Sequence, residues 1–149
     1  MLNLDQFLQL FNPLPGNHFM QVTTQKDEIT DALTSILEPV SGNLGVALYN
    51  DENLDFSKPF KAHARSNDMI VFKDTFMAHK NQKMILKIAY TSLANTAEII
   101  IMEKKGVMNI ETMKNILEEF EFRAANDIDI VEGYDLVMAK KMHMWGNGL

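Results

Sequence analysis

The feature that most constrains this chain is the stretch from Asp68 to Gly106. It opens on Asp68-Met-Ile-Val-Phe-Lys-Asp74, passes through an amphipathic segment, and closes on Ala97-Glu-Ile-Ile-Ile-Met-Glu-Lys-Lys-Gly106. Two short apolar runs around a helical pattern read as a parallel strand, a crossover helix and a second parallel strand, because strands buried on both faces lose polar alternation. Strands are predicted near Met69 to Phe72 and Glu98 to Met102. The helix between them runs from about Lys80 to Ala94, where Ile85, Ile88, Ala89 and Leu93 recur at helical spacing. Such a crossover is right-handed and implies an α/β sheet with helices on its faces.

The flanks extend this reading. Leu4, Phe7, Leu8 and Phe11 share one face of a short helix that ends before Pro13 and Pro15. Such a helix serves as a lid over the sheet or core, or as an arm between subunits. After the turn cluster Asn12 to Asn17, His18 to Thr23 is read as a lead into a helix capped by Thr24, with Asp27 three residues on. Ile29, Ala32, Leu33, Ile36 and Val40 form its apolar face, and Pro39 and Gly42 close it. Asn43 to Tyr49 is a buried strand. Asn53 to Asn67 is a long surface loop with a short strand at Phe60 to Ala64. Beyond Gly106, Asn109 caps a helix bearing Met113, Ile116, Leu117 and Phe120 on one face. Asp127 to Val131 and Tyr134 to Ala139 then pair across a turn at Gly133. The predicted whole is one α/β domain over residues 1–149 with about five strands, mostly parallel, and one terminal antiparallel strand. Residues 1–42 supply helices that cover the sheet, and residues 43–149 supply the sheet and its crossover helices.

Composition narrows the function classes. With 149 residues, 46% of them hydrophobic, the chain fills one core. A net charge of −6 argues against a general attraction to nucleic-acid phosphates or anionic lipid, and the basic pairs Lys104-Lys105 and Lys140-Lys141 are short. The absence of cysteine excludes disulfides, thiolate metal sites and cysteine nucleophiles. No positive segment followed by an apolar run opens the sequence, and no 18 consecutive apolar residues occur, so a cytoplasmic protein is expected, without a membrane span.

In parallel sheets ligands bind beyond the carboxyl ends of the strands, where strand order reverses. That rule singles out Asn50, Asp51, Lys73 and Glu103 as candidate binding residues, and Asp74 and His79 as candidate catalytic ones. His79 is either a base held by the Asp74 carboxylate or a polar loop histidine. The four histidines, His18, His63, His79 and His143, lack the spacing that delivers neighbouring metal ligands, so no metal is expected. Neither the Gly-x-Ser-x-Gly turn of serine hydrolases nor a phosphate-binding glycine-lysine loop occurs. Of the 11 methionines, those such as Met84 and Met113 fall on core-type positions. The tail from Met142 to Leu149 carries the only tryptophan, Trp145, which docks on its own domain or anchors a partner.

From Asp68 to Met144 the order of elements resembles the later half of class I S-adenosylmethionine-dependent methyltransferases, a Rossmann-like, three-layer fold. Asp68 to His79 is similar to that family's fourth strand and its loop, Lys87 to Asn95 to the end of the following helix, and Ala97 to Glu103 to the fifth strand. The resemblance implies a glycine-rich cofactor turn after the first strand, an acidic residue at the end of the second strand holding the ribose hydroxyls, and a third strand outside the second. With Asn43 to Tyr49 read as the first strand, no glycine follows it in Asn50-Asp51-Glu52-Asn53. The stretch to Asp68 is also too short for further crossovers, and the ribose acid has no counterpart. Two functions follow: a methyltransferase-like module that has lost its cofactor and binds or scaffolds, or an active methyltransferase with an atypical S-adenosylmethionine site. Lacking outer strands, Leu44 to Tyr49 becomes a sheet edge. Phe7, Phe11, Phe56, Phe60 and Trp145 are the apolar covers whose burial predicts a homodimer, with coverage within one chain as the alternative.

Overall fold

Apolar runs near Phe19, Val46, Val71 and Ile100 lie side by side as parallel strands in a computed structural model that describes residues 2–142. The strands are β1 (His18–Thr23), β2 (Asn43–Leu48), β3 (Asn67–Lys73), β4 (Leu93–Lys104), β5 (Phe122–Ile128) and β6 (Tyr134–Lys141), in the spatial order β2-β1-β3-β4-β6-β5. Only β6 runs against the rest, pairing antiparallel with β4 and β5. The helices are α1 (Asp5–Leu8), α2 (Glu28–Leu37), α3 (Gln82–Ser92) and α4 (Ile110–Glu119), with a 3₁₀ turn at Glu38–Val40. None is long and apolar enough to cross a membrane.

Alternation along the strands divides the core in two. Phe19, Met69, Val71, Ile100 and Met102 meet Phe7 of α1 and Ile29, Leu33 and Leu37 of α2. On the other face Val22, Ile70, Phe72, Ile99 and Ile101 meet Ile85, Leu86 and Ala89 of α3 and Met113 and Leu117 of α4. The result is the expected three-layer α/β fold, with one strand more than the sequence reading counted.

That strand is β1. His18 to Thr23 is not a lead into a helix but a central strand, flanked by β2 and β3, so residues 1–42 are not purely helical cover. Its polar residues disguised it: Gln21 and Thr23 are buried, and Thr30 of α2 donates its hydroxyl to Gln21 Oε1 at 2.6 Å, while Gln21 Nε2 meets no hydrogen-bond partner among the described residues. With β1 placed, Asn43–Leu48 becomes the second strand rather than the first. It remains the sheet edge, as expected.

Local chemistry sets the element ends. Asp27, not Thr24, caps α2, accepting from the amides of Ile29 at 3.0 Å and Thr30 at 3.3 Å, while the Thr30 hydroxyl accepts from the Asp27 amide at 3.0 Å. Asn81 and Asn109 cap α3 and α4 through the amides of Met84 and Thr112. Lys141 Nζ donates to the carbonyls of Tyr90 at 2.7 Å and Leu93 at 2.8 Å, satisfying acceptors at the end of α3. The antiparallel pair turns at Gly133, whose φ of 82° suits glycine, but its first strand starts at Phe122 rather than Asp127. Phe60 to Ala64 forms no strand. Phe60 instead packs edge-on against Phe72 with ring centres 5.8 Å apart.

The expected apolar covers are used within the chain. Phe7 is fully buried, Phe11 meets it edge-on at 5.0 Å, Phe60 is buried, and Phe56 stacks on Tyr49 at 5.6 Å. Trp145 and His143 lie outside the described residues.

Candidate functional site

The chain steps from β1 outward to β2 and then returns past β1 to β3, so strand order reverses between the carboxyl ends of β1 and β3. Two loops meet there. One is Thr24-Gln25-Lys26-Asp27, between β1 and α2; the other follows Lys73 at the end of β3. Lys73 Nζ sits 2.8 Å from Asp27 Oδ2 and 3.1 Å from Asp74 Oδ2, and 5.0 Å from the centre of the Tyr134 ring. Tyr134 donates its hydroxyl to Asp74 Oδ2 at 3.1 Å. Asp74 holds a left-handed backbone at φ 59°, and its amide donates to the Met102 carbonyl at 3.0 Å. Thr75 of the same loop donates its hydroxyl to the Val22 carbonyl at 3.3 Å, fastening it to β1.

Burial opposes the charge on Lys73, but hydrogen bonds to Asp27, Tyr134 and Asp74 outweigh it and hold the ammonium above the ordinary lysine range. Glu103, at the end of β4, is 4% exposed. Burial raises its carboxyl and the nearby Asp74 charge adds to that, against the amide of Met77, which donates to Oε2 at 3.0 Å. Burial also raises the Tyr134 hydroxyl, with Lys73 opposing.

Of the two sequence readings of His79, the base held by Asp74 is not formed, because no hydrogen bond among the described residues joins His79 to Asp74. His79 is buried; its Nδ1 accepts from the Asn81 amide at 2.8 Å, so Nε2 carries the proton and faces the Lys58 carbonyl at 2.9 Å. Both nitrogens are spent on backbone, and the ring meets Tyr49 edge-on at 5.5 Å. Tyr49 donates to the same Lys58 carbonyl at 2.5 Å, and burial pushes its hydroxyl up to about 12. His79 and Tyr49 together tie the long loop after β2 to the sheet.

Asn50 and Asp51 stand apart from this cluster in an exposed turn beyond β2. Asn50 Oδ1 accepts from the Asn53 amide at 3.1 Å, and the Asp51 amide donates to the Leu54 carbonyl at 2.9 Å. No hydrogen bond or ion pair among the described residues joins either to Lys73, Asp74 or Glu103. Lys73 and Asp74 thus meet, with Glu103 near enough to feel the Asp74 charge, while Asn50, Asp51 and His79 do not join them. Sequence reasoning missed Asp27 and Tyr134 as members. Asp27 could have been found had Gln21 not hidden the strand before it. Among the described residues, no group of three or more histidines and carboxylates could hold a metal ion.

No protein-family model and no curated protein sequence matches the chain. Solved structures do. A SAM-dependent methyltransferase from Aquifex aeolicus superposes with a TM-score of 0.70 at 16% identity, covering 93% of this chain and 89% of that one. The CurJ carbon methyltransferase gives 0.69 at 12% identity over 91% of this chain and 51% of that one. A Haemonchus contortus phosphoethanolamine N-methyltransferase 2, solved with S-adenosyl-L-methionine, gives 0.66 at 11% identity over 93% and 52%. The chain spans about half the length of the latter two. At these identities the likeness establishes a class I methyltransferase-like fold.

Proposed function

We propose that this protein is a methyltransferase-fold module that has lost cofactor binding and acts in the cytoplasm by binding or scaffolding. The observation that carries the reading is the 2.8 Å pair between Lys73 and Asp27, which links the β1–α2 turn to the end of β3 across the point of strand reversal. The resemblance implies a glycine-rich turn after the first strand, where backbone approaches the cofactor closely. Here that turn is Thr24-Gln25-Lys26-Asp27, with no glycine, and Asp27 spends its carboxylate on Lys73 and on capping α2. These residues do not make a cofactor cradle. The test is calorimetric titration of the full chain with S-adenosylmethionine to about 1 mM, an affinity of only ~4 kcal/mol. No saturable heat and no thermal shift is the expected result. Saturable binding that is lost in Asp51→Ala or Asp74→Ala overturns it.

One observation favours the second reading, an active S-adenosylmethionine-dependent methyltransferase. With β1 recognised, Asp51 lies just beyond the second strand, where the resemblance implies the ribose-holding acid, and its carboxylate is exposed. The same titration separates the two readings.

A further inference from the structure

The two edges of the sheet are treated differently. At the β5 edge the register slips between Arg123 and Asn126, Ala124 adopts a left-handed φ of 58°, and Arg123 and Asp127 are engaged by Glu121 at 2.9 Å and Lys114 at 2.6 Å. A bulge and charges are the usual means of keeping an edge from pairing with another chain. The β2 edge has none of them. Asn43-Leu-Gly-Val-Ala-Leu48 is uncharged, free of proline, and in unbroken register with β1 over six residues.

Strand geometry identifies the open groups. The amides of Asn43 and Tyr49 donate to Asn17 and Thr23, toward β1. Because successive residues alternate sides, the N–H and C=O of Leu44 and Val46 face outward, where no partner meets them among the described residues. The bridge between Tyr49 and Leu54 closes the upper end of this edge. Beside it lies a groove of about 330 Å³, lined by Met20, Val46, Leu48 and Leu54 with Lys61 at one side.

We propose that this edge pairs with β2 of a second copy of the chain, antiparallel across a twofold axis at Gly45. Leu44 then faces Val46 of the partner subunit and Val46 faces Leu44 of the partner subunit, so each outward N–H finds an outward C=O. The occupant must be an uncharged strand with its own free edge, and the strand in this protein that meets both demands is β2. Glycine on the axis suits the non-hydrogen-bonded pair, where opposing Cα atoms come closest, at about 4.5 Å. The pairing is independent of whether any cofactor binds.

Light scattering on the full chain tests it. At roughly 50 μM, in the range of a modest interface, the expected mass is about 34 kDa, twice the 17.0 kDa of one chain, falling toward 17.0 kDa on dilution. Val46→Pro removes an outward N–H that β1 does not use, so it yields the 17.0 kDa species with a thermal midpoint near that of the parent. Val46→Lys keeps every backbone donor and yields the same loss of pairing by placing charge on the edge. A 17.0 kDa parent at every concentration up to about 0.5 mM, well above the range of a specific contact, overturns the proposal. So does a folded Val46→Pro variant that dimerises with parental affinity.

Discussion

Lys73 and Asp27 are 46 residues apart in sequence (73 − 27), yet the ammonium of one lies 2.8 Å from the carboxylate of the other. Their side chains are 11% and 19% exposed, so water screens the pair poorly. Asp27 also caps α2 and Lys73 ends β3, so one contact holds a helix start against a strand end at the centre of the sheet.

Lys73→Met should therefore destabilise the protein by about 3 kcal/mol, because it leaves Asp27 and Asp74 facing each other without a cation. Asp27→Asn should cost less, since the amide oxygen still caps α2 and Asp74 still neutralises Lys73. Urea unfolding of the two variants checks the ranking. Equal losses below about 0.5 kcal/mol would mean that the pair is screened as on an open surface.

Alkaline pH should weaken the fold through Tyr49. Its hydroxyl is raised from 10.0 to about 12, so the folded state keeps a proton that the unfolded chain releases. Stability from this group is complete below pH 10 and is lost between pH 10 and about 12, amounting to about 2–3 kcal/mol. Lys73, raised above its ordinary value, loses its contribution in the same direction as pH rises past the normal lysine range. Tyr49→Phe should cost about 1 kcal/mol at neutral pH through the lost bond to Lys58. Its stability should then fall less steeply between pH 10 and 12. Denaturant midpoints across that window provide the measurement.

Glu103 has the opposite sign from a stabilising carboxylate. Burial raises its folded value, so the charged form is held at a cost near neutrality, and that cost is relieved as pH falls through the folded value. Glu103→Gln keeps an acceptor for the Met77 amide and removes the repulsion from Asp74. The variant should gain about 1 kcal/mol at pH 7 and less near pH 4. A loss at pH 7 would show that the charge is needed where it stands.

Gly42 sits where no side chain fits. A Cβ there would lie 2.7 Å from the Asn17 carbonyl oxygen and 2.9 Å from Leu37 Cδ2. Asn17 O is backbone and accepts from Asn43 at 3.0 Å, so it cannot retreat without breaking the start of the β1–β2 pairing. Gly42→Ala should cost about 2 kcal/mol or more, with β2 losing amide-exchange protection first.

The sequence alone determined the layers. Strands β3 and β4 are buried on both faces, so their residues are apolar without alternation, and α2, α3 and α4 show their core faces at helical spacing. Those patterns depend on local geometry and are visible one segment at a time. They carried the α/β class, the crossover, the cap at Asn109 and the turn at Gly133, whereas the edge position of β2 came from the resemblance, which left no outer strand beside it. Strand β1 was hidden because Gln21 is buried against Thr30 of α2, a compensation made by a residue nine positions away. The site was hidden for the same reason. That Lys73, Asp74 and Glu103 gather at strand ends follows from a topological rule. That Asp27 and Tyr134 complete the cluster, while His79 turns both nitrogens to backbone, follows from which loops the folded sheet brings together. Charge pairing and hydrogen-bond satisfaction act between atoms a few ångströms apart, and only the assembled tertiary structure decides which atoms those are.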